Sequence, residues 1–323
     1  MTTLTDASIE LHAAFARHET FHPRYGWLKK GFDHASEDPS VFLAPDATTV
    51  LGVGKNMVRA IRYWCLAYKV LEEERRDDNF RLFDLHPTEF GRRLLGADGW
   101  DPYLEDPASL WLLHWQLLRS PCRAPAWWAV FNGNRSTQFT DAALVEELRR
   151  FRDEREGWDD VADSSLEKDG RCLLRMYGSV TQGRDLLEDS VDSPFAELEL
   201  IRPLPGAKRH WTLNVGAKRT LPDAIIAYAC LDYAGMTDSS ARVIGVARLS
   251  RNPGAPGRAF ALTEVAVQDA LARYSERHEH PISLTHAAGN AQLVLPEDVE
   301  HTAIGILDRY YARRRGGTRK GNR

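Results

Sequence analysis

The residues best suited to chemistry are carboxylates between positions 185 and 199. Glu197 and Glu199 alternate on a predicted strand and would share one face of it, while Asp189 and Asp192 lie just upstream. Phosphodiester hydrolysis commonly uses divalent metal ions held by converging carboxylates. This acidic cluster predicts a magnesium or manganese site with Asp189, Asp192 and Glu197 as ligands and catalytic residues. A solvated acidic loop is the alternative that the same composition allows.

A second candidate is segment 17–31, which combines histidines, a carboxylate and basic side chains with aromatic rings. Cations beside aromatic rings are suited to gripping a phosphate backbone, so the prediction includes Arg24, Lys29 and Lys30 as DNA contacts. His18 and Glu19 could form a proton relay and are predicted as catalytic residues. The alternative is a helix entry that aromatic side chains anchor and polar groups cap.

A third candidate is one face of an amphipathic helix predicted over 56–74. Apolar residues recur there at steps of three and four, which is typical of a helix with one buried face. Roughly opposite lie four cations that could meet DNA phosphates or a guanine edge, namely Lys55, Arg59, Arg62 and Lys69. A solvated helix face is the alternative.

The elements around this helix must position its cations. A tight turn at Leu51–Gly54 precedes the helix, and a predicted strand at Phe80–Leu85 follows it. A helix, a tight turn, a second helix with a basic face and then a strand is the order of a winged helix-turn-helix. The sequence therefore predicts an N-terminal winged-helix-like domain over 1–118.

The rest of the chain predicts an α+β fold overall. A Trp-rich helical connector and acidic linker cover 119–169, and a mixed α/β domain covers 170–311. Within that domain Arg171–Tyr177 and Phe195–Ile201 are predicted as strands and Ala224–Tyr233 as a helix. A helix over 260–274 followed by two strands around Gly289 allows a second winged helix, with an ordinary α+β core as the alternative.

Composition limits the class of protein. The formal net charge of -4 excludes binding to nucleic acid by bulk charge alone, so any grip on DNA requires local basic patches. One such patch is the tail 312–323, which contains Arg313, Arg314 and Arg315 and is predicted to be a disordered basic arm that adds non-specific DNA affinity.

Other classes of site and location are not expected. The N-terminus lacks the pattern of a signal peptide and no segment has the length of a membrane span, so a cytoplasmic protein without membrane contact is expected. The four cysteines are far apart and form no metal-ligand pair, so no structural zinc is predicted. The segment Gly52–Asn56 departs from a phosphate-binding loop at two positions, so neither ATP nor another nucleotide cofactor is predicted.

Two long strings carry a resemblance to a known family. FARHETFHPRYGWLKKGFD and LGVGKNMVRAIRYWC, together with EDSVDSPFAELELI and PGRAFALTEVAVQDAL, are similar to a bacterial family catalogued as domain of unknown function 4007. The resemblance spans nearly the whole chain. Arg17 departs from the family pattern, because a small residue is expected before the His-Glu-Thr-Phe run.

This family occurs beside DNA-phosphorothioation genes and includes the B component of a single-strand phosphorothioation system. The resemblance implies a protein that nicks one strand of duplex DNA for sulfur insertion, with a cysteine desulfurase, an ATP-dependent sulfur-transfer enzyme and an ATPase as partners. It also implies DNA contacts by Asn56 and Tyr63, which share the second motif with Lys55, Arg59 and Arg62. A non-catalytic adaptor that recruits the sulfur machinery, or a transcription regulator acting alone, stays open on the same residues.

Overall fold

The structure is a computed structural model that describes residues 9–133, 136–178, 193–237, 241–277, 282–287 and 289–318. It has a mixed α+β architecture in which helices surround small antiparallel sheets. The helices are α1 (Trp27–Glu37), α2 (Ala47–Leu51), α3 (Lys55–Ala67), α4 (Glu89–Leu95), α5 (Pro107–Leu118), α6 (Pro125–Asn132), α7 (Asp141–Asp153), α8 (Asp163–Tyr177), α9 (Asp223–Thr237), α10 (Val246–Arg251), α11 (Pro256–Ala259), α12 (Glu264–Arg277) and α13 (Val299–Thr318). The strands are β1 (Leu71–Arg75), β2 (Phe83–Pro87), β3 (Gln138–Thr140), β4 (Ile201–Pro203), β5 (His210–Leu213), β6 (Val243–Gly245), β7 (Ser283–Ala287) and β8 (Asn290–Val294).

Local sequence signals explain several helix starts. Thr88 and Thr140 cap α4 and α7, since each side-chain oxygen accepts from a backbone N–H three residues on. Asp106 caps α5 by accepting from the backbone N–H of Ala108. Gly52, in the left-handed region at a φ of 61°, ends α2 and lets the chain turn directly into α3.

The sheets share a simple topology. β1 and β2 form a two-stranded hairpin, in which Leu71 lies opposite Pro87. The other two sheets have the strand orders β3-β5-β4 and β6-β8-β7, so in each the third strand along the chain lies in the centre. In each of them, a helix comes before the first strand, and at least two helices separate that strand from a hairpin.

One large hydrophobic cluster extends through most of the described chain, and a small second cluster joins Ala47 and Leu51 of α2 to Val58 of α3. The large cluster includes Phe15 near the start, Trp64 in α3, Trp127 in α6, Phe195 and Tyr311 in α13. The four cysteines are buried as free thiols. Within the described ranges, no helix combines the length and the apolar character that a membrane span requires. The predicted domain boundaries stay a prediction.

Several parts of the predicted secondary structure are wrong. The helix predicted over 56–74 ends at Ala67, and its last predicted residues belong to strand β1, Leu71–Arg75. Arg171–Tyr177 is not a strand but the second half of α8, which begins inside the predicted acidic linker. Phe195–Ile201 is not a strand either, because a 3-10 helix over Pro194–Leu198 precedes the short β4. The helix predicted over Ala224–Tyr233 is present as α9, and the hairpin around Gly289 is present as β7 and β8.

Candidate nucleic-acid interface

The outward face of α3 presents basic and polar groups to solvent. Lys55, Asn56 and Arg59 are exposed, whereas Ile61 and Trp64 are completely buried on the opposite face. Since buried apolar residues fix the helix against the core, its rotation is set and the cations must point outward. The structure therefore places three of the predicted DNA contacts where a duplex can reach them.

Arg62, one turn further along α3, is held in an ion-pair cluster. Its guanidinium lies 2.7 Å from Glu73 of β1, and the guanidinium of Arg123 lies 2.7 Å from the other oxygen of that carboxylate. Burial raises the pKa of Glu73, but Arg123 and Arg62 together lower it by a larger amount. The pKa of Glu73 is therefore below its ordinary value. Two cations share one carboxylate, which leaves the cluster positively charged.

Arg62 and Arg123 line an open cavity of about 650 Å³ beside α3. Arg59 faces it, with its guanidinium 3.5 Å from Glu19, and Arg17 contributes one more guanidinium group. Such a concentration of guanidinium groups is suited to phosphate oxygens. Neither Arg17 nor Arg123 is among the predicted site residues. Arg17 belongs to a selected segment, but nothing local marks Arg123.

His18 is buried and does not reach the surface. Its Nε2 lies 2.7 Å from Oδ1 of Asp169 in α8, and both side chains are at most 1% exposed. The ring packs among Tyr63, Trp64 and Trp127. The predicted relay between His18 and Glu19 is wrong, because the partner of His18 is Asp169 and the imidazole is out of reach of a phosphodiester at the surface.

The loop that carries His18 has an unusual backbone. Ala16, Glu19 and Thr20 have φ values of 54°, 50° and 69°, in the left-handed region that non-glycine residues rarely adopt. The carboxylate of Asp169 also accepts from the backbone N–H of Ala16 at 2.8 Å. The buried pair of His18 and Asp169 therefore holds this loop, residues 16–20, against α8 in spite of its strained backbone.

Lys69 does not face DNA, and the prediction for this residue is wrong. The helix ends at Ala67 because Lys69 has a left-handed φ of 57° and Val70 donates back to the carbonyl of Cys65. The buried ammonium donates to the carbonyl oxygens of Gln116 and Arg119 at the end of α5. Burial lowers the pKa of Lys69 to about 7.

The three cations of segment 17–31 that are predicted as DNA contacts make internal contacts. The ammonium of Lys29 bonds to Asp33, that of Lys30 donates to the carbonyl of Leu51, and the guanidinium of Arg24 lies over Phe21 and Trp27. Tyr63 is buried and its hydroxyl donates to the carbonyl of Arg123. The prediction that these four residues contact DNA is therefore not supported by their positions.

The acidic cluster lies partly outside the described residues, since Asp189 and Asp192 belong to 179–192. Glu197 is exposed in the 3-10 helix and accepts a hydrogen bond from Tyr25. Glu199 pairs with Arg202. In the part of the chain that the structure describes, no group of three histidine, cysteine or carboxylate side chains could hold a metal ion. The described residues therefore form no metal centre by themselves, and the prediction with Asp189 and Asp192 as ligands stays a prediction.

The predicted basic arm is a helix as far as Thr318. Arg314 forms an ion pair with Asp106 at 2.7 Å, and Arg315 donates to the carbonyl of Gly99. Arg313 is exposed. The prediction of a disordered tail is wrong for 312–318, because these contacts dock the end of α13 onto the segment before α5, and residues 319–323 lie outside the described part.

Three comparisons place this geometry among known proteins. Residues 15–311 match a family described as a protein of unknown function, DUF4007. A magnesium ion-bound crystal structure of SspB is 40% identical, with a TM-score of 0.88, and the match covers 95% of this chain and 90% of that one. A second crystal structure of SspB is also 40% identical, with a TM-score of 0.87 and coverage of 94% and 90%. No curated protein matches the sequence.

Proposed function

The chain belongs to the DUF4007 family, and from this premise we propose that it binds duplex DNA and nicks one strand within a phosphorothioation modification and defence system. The observation that carries the proposal is the outward face of α3. α2, the turn at Gly52, α3 and the β1–β2 hairpin follow each other in the order of a winged helix. In that motif, the second helix of the turn enters the major groove, and here it is the helix whose exposed residues are Lys55, Asn56 and Arg59.

The chemistry of these side chains fits DNA. Lys55 and Arg59 supply cations for phosphates, and a guanidinium can donate two hydrogen bonds to a guanine edge. Asn56 can contact the N6 and N7 groups of adenine in the same groove. The cavity beside Arg59 is also lined by Arg17, Arg62 and Arg123, so guanidinium groups continue past the helix.

Removing two cations from α3 tests DNA binding directly. The logarithm of the association constant falls linearly with the logarithm of the salt concentration. We expect the double variant Lys55→Ala/Arg59→Ala to make this dependence shallower by roughly 2, because each lost phosphate contact removes about 0.9 from the steepness of the slope. The measurement is fluorescence anisotropy of a labelled duplex across a salt series. The matched control is Arg251→Ala/Arg277→Ala, which removes two exposed cations from the C-terminal region. Equal slopes for both double variants would exclude α3 from the contact.

Nicking is tested on supercoiled plasmid. We expect the protein with Mg²⁺ or Mn²⁺ to produce open circles and a chelator to stop the reaction, since phosphodiester hydrolysis commonly requires a divalent metal. Asp189→Asn or Glu197→Gln should slow cutting by about 100-fold or more while DNA affinity is kept. Glu199→Gln is the control, because this exposed carboxylate pairs with Arg202. Cutting that survives both substitutions would remove those carboxylates from the reaction.

A second candidate function is a non-catalytic adaptor. It is favoured by one observation, that Glu197, the predicted catalytic carboxylate in the described part of the chain, accepts a hydrogen bond from Tyr25 and belongs to no described group of metal-ligating side chains. An adaptor would bind duplex DNA with the same salt dependence and leave the plasmid supercoiled under every metal. It would act by bringing the desulfurase and the sulfur-transfer enzyme, which the family resemblance implies as partners, to the DNA.

A further inference from the structure

A second helix presents a basic face to solvent. Lys168, Arg171 and Arg175 of α8 are exposed and recur at steps of three and four, so they lie on one side of the helix. The opposite side is fixed in the core by buried residues such as Leu166 and Leu173. The orientation of this face is therefore as well determined as that of α3.

The place of α8 in the fold is also that of a recognition helix. β3, α7, α8, β4 and β5 follow in the order strand, helix, helix, hairpin, and the sheet order β3-β5-β4 puts the last strand in the centre. α8 is thus the last described α-helix before a hairpin, with the 3-10 helix over Pro194–Leu198 between them, whereas α3 leads directly to β1 and β2. The β4–β5 turn carries exposed Lys208 and Arg209, where a wing would reach a DNA backbone. Arg209 lies 3.7 Å from Asp141, and the exposed His210 follows it as the first residue of β5.

The segment formed by α12, β7 and β8 shows that a helix placed before a hairpin does not by itself require cations. α12 is the last helix before β7 and β8, and its exposed residues include Val265 and Asp269. Its basic side chains Arg273 and Arg277 both pair with Asp223. Cations of α3 and α8 also have carboxylate partners, since Arg59 lies near Glu19 and Arg171 near Glu167, but α12 differs in that both of its pairs share the single carboxylate of Asp223 and its first half exposes Val265 and Asp269.

The basic faces of α3 and α8 meet across loop 16–20. The guanidinium of Arg175 donates to the carbonyl of Thr20, and the neighbouring Glu19 lies 3.5 Å from Arg59 of α3. The exposed Arg17 belongs to the same loop. Two adjoining residues thus connect a cation of one helix to a cation of the other, which makes the surface continuous.

We propose that the outward face of α8, with the β4–β5 turn, is a second contact surface for the same DNA duplex that α3 binds. The inference rests on the proposed DNA binding by α3. Duplex DNA is the occupant that fits, because it carries one negative charge about every 1.7 Å of its axis and can extend over both helices. A protein of net charge -4 that concentrates cations on two adjoining helices is suited to such a polyanion.

The test is duplex binding by Lys168→Ala/Arg171→Ala, measured by anisotropy across a salt series. Arg175 is kept because its guanidinium supports loop 16–20. We expect the dependence of log K on log salt to become shallower by roughly 2, and Kd to rise on the order of tenfold at about 0.1 M salt. Arg251→Ala/Arg277→Ala is the control with the same change in charge, and thermal melting checks that each variant is folded.

The outcomes separate the two proposals. If the wild type does not bind duplex, the proposed function fails and this inference fails with it. If Lys55→Ala/Arg59→Ala weakens binding while Lys168→Ala/Arg171→Ala matches the control, α8 is not a contact surface and only this inference is overturned. Weakening by both α3 and α8 variants, with an unchanged control, supports both.

Discussion

Asp169→Ala is expected to lower the free energy of unfolding by about 3–5 kcal/mol, because it leaves a buried histidine and a backbone N–H without their shared partner. The carboxylate accepts from Ala16 and contacts His18, and both side chains of the pair are almost completely buried. Burial raises the pKa of Asp169, and the contacts with His18 and Ala16 lower it less, so the carboxylate depends on these partners to be tolerated in the core. Urea unfolding followed by tryptophan fluorescence measures the change.

Two controls separate the buried pair from general damage to α8. Asp169→Asn keeps an oxygen that can accept from Ala16 and from a protonated Nε2 of His18, so its loss of stability should be clearly smaller. Glu167→Ala removes a half-exposed carboxylate whose oxygen lies 3.8 Å from Arg171, and it should cost less than about 1 kcal/mol. If Asp169→Ala unfolds at the same urea concentration as Glu167→Ala, the pair does not hold the loop.

The same substitution has a functional consequence. Loop 16–20 joins the basic faces of α3 and α8, and three of its residues have left-handed φ values that only surrounding contacts can maintain. Asp169→Ala, measured at a temperature where it is still folded, should therefore weaken duplex binding although Asp169 itself cannot touch DNA. If this result is obtained, His18 acts on the proposed interface by holding loop 16–20 in place.

The amphipathic helix α3 could be predicted from its sequence because its signal is periodic and local. Its end could not be predicted, since Lys69 adopts a left-handed conformation that a sequence usually marks with glycine. That conformation turns the ammonium toward the carbonyl groups that end α5. Lys69 continues the basic stripe in sequence, but a turn that its residue type does not indicate directs its ammonium group inward.

The second basic helix was missed for a different reason. Its first half, Asp163–Gly170, is polar and has the composition of a linker, whereas Arg171–Tyr177 is short and rich in apolar residues. Neither half alone is long enough to show the helical period. The partners of the site are also distant in sequence, since His18 and Asp169 are 151 positions apart. Spacing along the chain carries no information on such contacts.

Acid is expected to destabilise the protein through His114, which is completely buried in α5. Nε2 lies 2.7 Å from the carbonyl oxygen of Ala259, so it must carry the proton, and Nδ1 at 2.7 Å accepts from the hydroxyl of Tyr177. Burial lowers the pKa of His114 to about 4, from an ordinary value of 6.5. Between these values, only the unfolded chain binds the proton, so stability is complete above pH 6.5 and is lost as the pH falls toward 4.

The size of this loss follows from the two pKa values. Each pH unit in that window costs up to about 1.4 kcal/mol, so the total is about 3 kcal/mol. His114→Gln keeps a donor that can reach Ala259 but removes the titration, so the stability difference between wild type and this variant should shrink toward acid. His12→Gln, at a partly exposed histidine, should keep the wild-type slope. Parallel curves for wild type and His114→Gln would contradict the assignment, as would imidazole NMR signals of His114 that titrate near pH 6.5. Because His114 joins α5 to the last residue of α8 and to α11, its protonation should also loosen the packing that orients the second basic face.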